Sequence, residues 1–163
     1  MSTRLSEAIG ALKIPEGVKP ERPVPFEETG EYREMVRRVN ESRMRKAGLV
    51  GAYADADCEE GWEAYKRAVD GRGTYLYGMP GRGKTYAAAC AVKLAVWQRM
   101  SAKLITAKGL LDAIKAEWDG GERGVLLRAE RYGLLALDDL GVERPTEWAM
   151  ETLTGLIDAR ASA

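Results

Sequence analysis

Residues 78–85 read Gly78-Met79-Pro80-Gly81-Arg82-Gly83-Lys84-Thr85 and match the pattern G-x-x-x-x-G-K-[ST]. At this composition roughly 0.01 accidental matches are expected along the chain, so the motif carries weight. Gly81 and Gly83 let the backbone curl until successive N–H groups face one anion, where a Cβ would obstruct. A helix that begins at the same point adds the positive end of its dipole. Lys84 has the reach and charge to meet β- and γ-phosphates, and the Thr85 hydroxyl suits Mg²⁺. The expected nucleotide-binding set is therefore Gly78, Met79, Pro80, Gly81, Arg82, Gly83, Lys84, Thr85 and the adjoining Tyr86, with ATP and Mg²⁺ as ligands.

A second group with matching chemistry lies some fifty residues on. Leu134-Leu135-Ala136-Leu137-Asp138-Asp139 is an apolar strand that delivers carboxylates to its C-terminal end, where ligands of open α/β sheets bind. Asp138 is expected to hold Mg²⁺ through water. Asp139 is placed to orient or activate a water that attacks a phosphate, which makes Lys84 and Asp139 the expected catalytic pair.

The elements that must position these groups are readable from periodicity and punctuation. Thr74-Tyr75-Leu76-Tyr77 predicts a buried strand leading into the glycine loop. An alanine-rich helix follows to about Met100, then a strand over Lys103 to Thr106. Leu110, Leu111, Ile114 and Trp118 share one side of the next helix, which breaks at Asp119-Gly120-Gly121. A short helix to Arg131 precedes the strand Leu134 to Asp138, apolar on both faces as a covered parallel strand should be. Pro145-Thr146-Glu147 opens the last helix, with Thr146 as N-cap and Ala149, Leu153, Leu156 and Ile157 as its apolar stripe. Upstream, Tyr32, Met35, Val36 and Val39 predict an amphipathic helix that ends near Gly48, and a second runs from about Cys58 to Val69. The first carries Arg33, Arg37, Arg38, Arg43, Arg45 and Lys46 against Glu34 and Glu41, read first as a solvated face and second as a nucleic-acid or partner surface. Residues 1–30, with Pro15, Pro20, Pro23 and Pro25, read as a disordered or linker tail. Residues 31–70 then form a helical segment and 71–163 an α/β core with a parallel sheet.

Composition removes competing chemistries. The 163 residues contain no histidine, so a Ser-His-Asp or Cys-His nucleophile and an HExxH zinc site are excluded. Cys58 and Cys90 are too few for a structural zinc site and too far apart for a CxxC pair; Cys90 reads as a small core residue. The 25 basic and 25 acidic side chains leave no net charge, which argues against a uniformly basic coat but not against a local basic stripe. No apolar run reaches membrane length and no secretion signal is legible, which predicts a cytoplasmic protein without membrane contact. Trp62, Trp97, Trp118 and Trp148 are expected to pack in the core rather than to stack on bases.

With these motifs in hand, the chain resembles the DnaC/IstB-like ATPases of the AAA+ class, which include helicase loaders and transposition helpers. The resemblance rests on LYGMPGRGKT, on LLALDDLGVERPTEWA, on LIDAR and on RMRKAGLVGAYADAD, and it covers roughly residues 43–160. Tyr86 stands where a His often follows the family's Lys-Thr. The resemblance implies an AAA+-like P-loop NTPase fold, with a parallel sheet flanked by helices. It also implies Mg-dependent ATP hydrolysis by an oligomer that acts on single-stranded DNA and a replicative helicase. A transposase is the partner in the transposition variant, and a non-hydrolysing nucleotide-binding adaptor or a fragment is the other alternative. The DNA-facing helices would lie between the second and third strands, where Lys108, Lys115, Arg123, Arg128 and Arg131 are balanced by Asp112, Glu117, Asp119, Glu122 and Glu130. Members of the family continue with a sensor strand, an arginine finger and a helical part. The resemblance therefore implies a core that lacks its C-terminal part here, with a strand missing between the loop strand and the Asp138 strand and the two half-sites poorly held together.

Overall fold

The computed structural model describes residues 30–141 and 146–162. The tail expected over residues 1–30, apart from Gly30, and the turn around Pro145 lie outside the described residues. The elements are α1 (Gly30–Lys46), a 3-10 turn (Gly51–Tyr53), α2 (Glu59–Val69), α3 (Lys84–Trp97), β1 (Ala102–Thr106), α4 (Ala107–Ala116), α5 (Val125–Arg131), β2 (Leu134–Asp138) and α6 (Glu147–Ala161). The chain divides into two units, Met1–Val36 and Arg37–Ala163, with the boundary inside α1. No residue of α1 is buried; of its expected apolar stripe Met35 and Val39 are exposed while Tyr32 and Val36 are half-buried.

In the second unit β1 and β2 pair in parallel, in register from Ala102 opposite Leu134 to Thr106 opposite Asp138. Because successive side chains of a strand alternate between faces, the two strands feed two cores. Ala102, Leu104, Leu134 and Ala136 join a core built with α2 and α3, while Ile105, Leu135 and Leu137 join another with α4, α5 and α6. β2 is thus apolar on both faces because both faces are covered.

Helix α3 explains its own composition in the same way. Ala89, Cys90, Ala91, Val92, Leu94, Ala95 and Val96 are all buried, so the helix is apolar around most of its circumference and lacks a polar stripe. Each fully buried Val or Leu in such a helix contributes about 1.5–3 kcal/mol. Lys93 is also buried, and its ammonium lies 4.7 Å from the centre of the Trp97 ring, so the charge meets an aromatic face while the stem packs. Cys90 sits in this core as expected; burial pushes its thiol up, and its Sγ donates to the Cys58 carbonyl at 3.7 Å. Gly61 of α2 makes that approach possible, since a Cβ there would meet Cys90 Sγ at 2.6 Å and the Ala87 carbonyl at 2.8 Å.

Side chains close the helix ends. The Thr106 and Thr146 hydroxyls accept from Gly109 N–H and Ala149 N–H at 3.0 and 3.2 Å, the latter as the sequence predicts. The Glu117 carboxylate accepts from Gly124 and Val125 N–H at 3.0 and 2.6 Å, capping α5 from the preceding helix. Arg160 of the LIDAR segment donates to the carbonyls of Ala129, Glu130 and Tyr132 at 3.0, 2.9 and 2.7 Å. It therefore caps the C-terminal end of α5 and ties α6 to it.

Three expectations are corrected. Residues 74–77 form no strand, and Tyr75 and Tyr77 are 74% and 83% exposed, stacked on each other rather than on the core. A strand persists through its ladder, and among the described residues β2 pairs with β1 alone, so the β-branched and aromatic run finds no neighbour. The tryptophans are not a core set: Trp62, Trp97 and Trp118 are exposed, and Trp148 is half-buried against the second core. The large amphipathic indole is stabilised here by local partners instead, with Trp118 edge-on to Trp148 at 5.8 Å and the Lys115 ammonium 4.8 Å from the Trp148 ring. Ile157 is likewise exposed, although Leu156 and Leu153 pack as its stripe requires.

Candidate functional site

The glycine loop runs straight into α3. Gly78, Gly81 and Gly83 adopt φ of 142°, 76° and 80°, the left-handed region in which a Cβ is penalised. Gly83 is the N-cap of α3 and no side chain caps that end. The first amides of the helix therefore have no intrahelical acceptor and are available to an anion. The loop is exposed, and the space where a Cβ would stand at each of these glycines is open.

Lys84 is half-buried and bends back over the loop. Its ammonium donates to the Gly78 and Met79 carbonyls, each at 2.9 Å, which holds the charge above the cradle. Met79, Pro80, Gly81 and Arg82 form the exposed rim. Tyr86, in the first turn of α3, uses its hydroxyl to accept from Asp57 N–H at 3.2 Å, while Asp57 Oδ1 accepts from Trp62 Nε1 at 2.9 Å. That chain fastens the segment before α2 to the base of the loop. It was not legible in the sequence, because the three residues share no spacing rule.

The second motif meets the first at one atom pair. β2 ends at Asp138, and Thr85 Oγ1 donates to Asp138 Oδ2 at 2.8 Å across 53 residues of sequence. The two half-sites are thus in direct contact, although no described strand lies between them. Asp139 follows in an exposed position with φ 54°, a left-handed conformation that Asp tolerates better than most residues but that costs about 1–2 kcal/mol. This kink turns the chain sharply at the strand end and separates the surroundings of the two carboxylates.

The residues fit the expected ligands. A hydroxyl and a carboxylate oxygen are the hard donors that Mg²⁺ takes, and the cradle has room for phosphate oxygens where Cβ atoms would stand. Among the described residues no three His, Cys, Asp or Glu side chains group as a metal site, so such an ion would complete its shell with phosphate and water. No helix among the described residues is long and apolar enough to cross a membrane. Compared with protein-family models and with curated proteins, the chain matches none.

Proposed function

We propose that the chain is a Mg-dependent ATP-binding and hydrolysing protein of the helicase-loader type, acting on single-stranded DNA and a replicative helicase in the cytoplasm, and resembling the DnaC/IstB-like AAA+ ATPases. The observation that carries the nucleotide chemistry is the Thr85–Asp138 hydrogen bond, which joins the two motifs across 53 residues of sequence. ATP is the substrate, its phosphates lying on the α3 N-terminus within the curl of Gly81 and Gly83. Lys84 transfers its ammonium from the loop carbonyls to the β- and γ-phosphates and neutralises charge there. Thr85 and Asp138 would hold Mg²⁺, which would supply charge neutralisation at the phosphates. Asp139 accepts the proton side of the attacking water and so orients it for in-line attack on the γ-phosphorus.

The test is Mg-ATP titration by calorimetry with Lys84→Ala. Loss of the ammonium is expected to weaken binding by at least 100-fold, in line with about 3 kcal/mol for a charge-assisted contact. Unchanged affinity sinks the phosphate-loop assignment. ATP turnover stimulated by single-stranded DNA supports the wider reading, and a wild-type chain that binds no single-stranded DNA refutes it.

A further inference from the structure

The two cysteines of the chain stand 32 residues apart in sequence and against each other in the fold. Cys90, in the middle of α3, is fully buried, and its Sγ donates to the Cys58 carbonyl at 3.7 Å. Ordinary backbone bond lengths then place the Cys90 sulfur within about 6 Å of the Cys58 Cα. Cys58 is the extended N-cap of α2, half-buried and packed against the core cluster to which Cys90 belongs. Gly61, in the first turn of α2, has no Cβ to keep that turn away from Cys90. Both cysteines are free thiols.

A second link ties the same segment to the same face of α3. Asp57 N–H donates to the Tyr86 hydroxyl at 3.2 Å. Tyr86 and Cys90 stand at i and i+4 of the helix and so lie one above the other. Two consecutive residues, Asp57 and Cys58, therefore meet two stacked residues of α3. The segment is held opposite Cys90 before any covalent bond forms, and little further ordering is needed to make one.

We infer that Cys58 and Cys90 are a redox modification site, a dithiol that low-molecular-weight disulfides oxidise to an intramolecular disulfide. Half-buried Cys58 is the entry point and buried Cys90 the resolving thiol. The Cys58 sulfur attacks one sulfur of the small disulfide, forms a mixed disulfide and releases one small thiolate, which takes up the proton that Cys58 lost. The Cys90 sulfur then attacks Cys58 Sγ, forms the Cys58–Cys90 bond and expels the second small thiol, which carries off the Cys90 proton. Two protein thiols are oxidised and one small disulfide is reduced to two thiols. Burial pushes the Cys90 thiol up, so the second step is the slower one. The product joins the start of α2 to α3 and closes a loop that contains all of Gly78–Thr85. Closure restrains the unfolded chain more than the folded one and so stabilises the fold. Lys84, Thr85 and Asp138 take no part, so this site and the nucleotide site stand or fall separately.

The experiment incubates the full chain with excess oxidised glutathione, weighs it intact by mass spectrometry and compares its melting with that of the dithiothreitol-reduced chain. The wild type should lose two hydrogens, keep no glutathione and melt about 5–10 °C higher when oxidised. Dithiothreitol should reverse both changes. The disulfide should also form at least tenfold more favourably in the native chain than in urea, because the same stabilisation appears in both measurements. Cys90→Ala should stop at a glutathione adduct on Cys58, and Cys58→Ser should stay unmodified over the same time because Cys90 is buried. Neither variant should melt higher after oxidation. A packing role alone for Cys90 predicts that Cys90→Ala melts lower while oxidation leaves the wild-type melting temperature unchanged, and that result overturns the inference. A wild type that stops at the Cys58 adduct, or that links two chains, overturns it as well. So does a disulfide that lowers the melting temperature or forms no more readily in the native chain than in urea.

Discussion

Thr85 has two jobs that one substitution separates. Its hydroxyl holds Asp138 at 2.8 Å in the chain as it stands, and it is the proposed donor to Mg²⁺. Thr85→Val keeps the β-branched shape and removes only the oxygen, leaving a half-buried carboxylate short of one donor. The expected cost is about 1 kcal/mol in stability, which for a chain of this size lowers the melting temperature by about 2–4 °C. Calorimetry should also show that Mg-ATP binds more weakly while metal-free ATP binds as in wild type. Equal weakening of both forms refutes the assignment of Thr85 to the cation. Thr85 and Asp138 were both legible as candidate Mg²⁺ ligands from residue type and spacing, but their contact was not. Sequence places a carboxylate at a strand end without saying which hydroxyl waits there.

At the scale of elements, Arg160 shows how a motif residue can look chemical and act structurally. Its guanidinium satisfies three carbonyls at the end of α5, and its burial lowers its proton affinity without making it a reacting group. Arg160→Met keeps the length and apolar stem but strands those carbonyls at the α5–α6 junction. Denaturant unfolding should show a loss of about 2 kcal/mol, and Mg-ATP affinity should stay at the wild-type value. A large loss of nucleotide affinity without destabilisation would give Arg160 a place in the site instead. Helix ends were unevenly legible. Thr146 was found because an N-cap acts locally, three residues along the chain. Glu117 and Arg160 cap a helix other than their own, and no local pattern announces that.

In the second unit, two parallel strands are covered on both faces by helices, and the glycine loop stands outside that protection. Its approach, residues 74–77, has no ladder, and its cradle hangs on α3, on the Lys84 carbonyl bonds and on Thr85. Amide hydrogen exchange should therefore divide sharply. The α3 amides from Ala89 to Val96 and those of β1 should exchange only through large-scale opening, while residues 73–82 exchange near the rate of free peptide. Mg-ATP should slow exchange at Gly81 to Thr85 and leave residues 74–77 unprotected. Strong protection at 74–77 before nucleotide is added would show a strand partner there and refute the exposed arrangement.

The sequence alone determined which residue types stand at which spacing. A glycine–glycine–lysine–threonine spacing and an apolar run ending in Asp138 carry the proposed phosphate and Mg²⁺ chemistry, because each group's charge, reach and backbone freedom are properties of its own segment. Six helices, two strands and the Thr146 cap were legible for the same reason, since periods of 3.6 and 2 and capping are local. The tertiary structure decided whatever depends on a distant neighbour. The run over residues 74–77 has strand composition but no ladder partner among the described residues, and the tryptophans have core composition, yet three are exposed beside Asp57, Lys93 or one another and Trp148 is half-buried under Lys115. The left-handed φ of 60° at Arg99, with its N–H bonded to the Val96 carbonyl, was likewise fixed only where α3 ends in the folded chain. Hydrogen-bond partners and burial arise between segments, so only the folded chain fixes them.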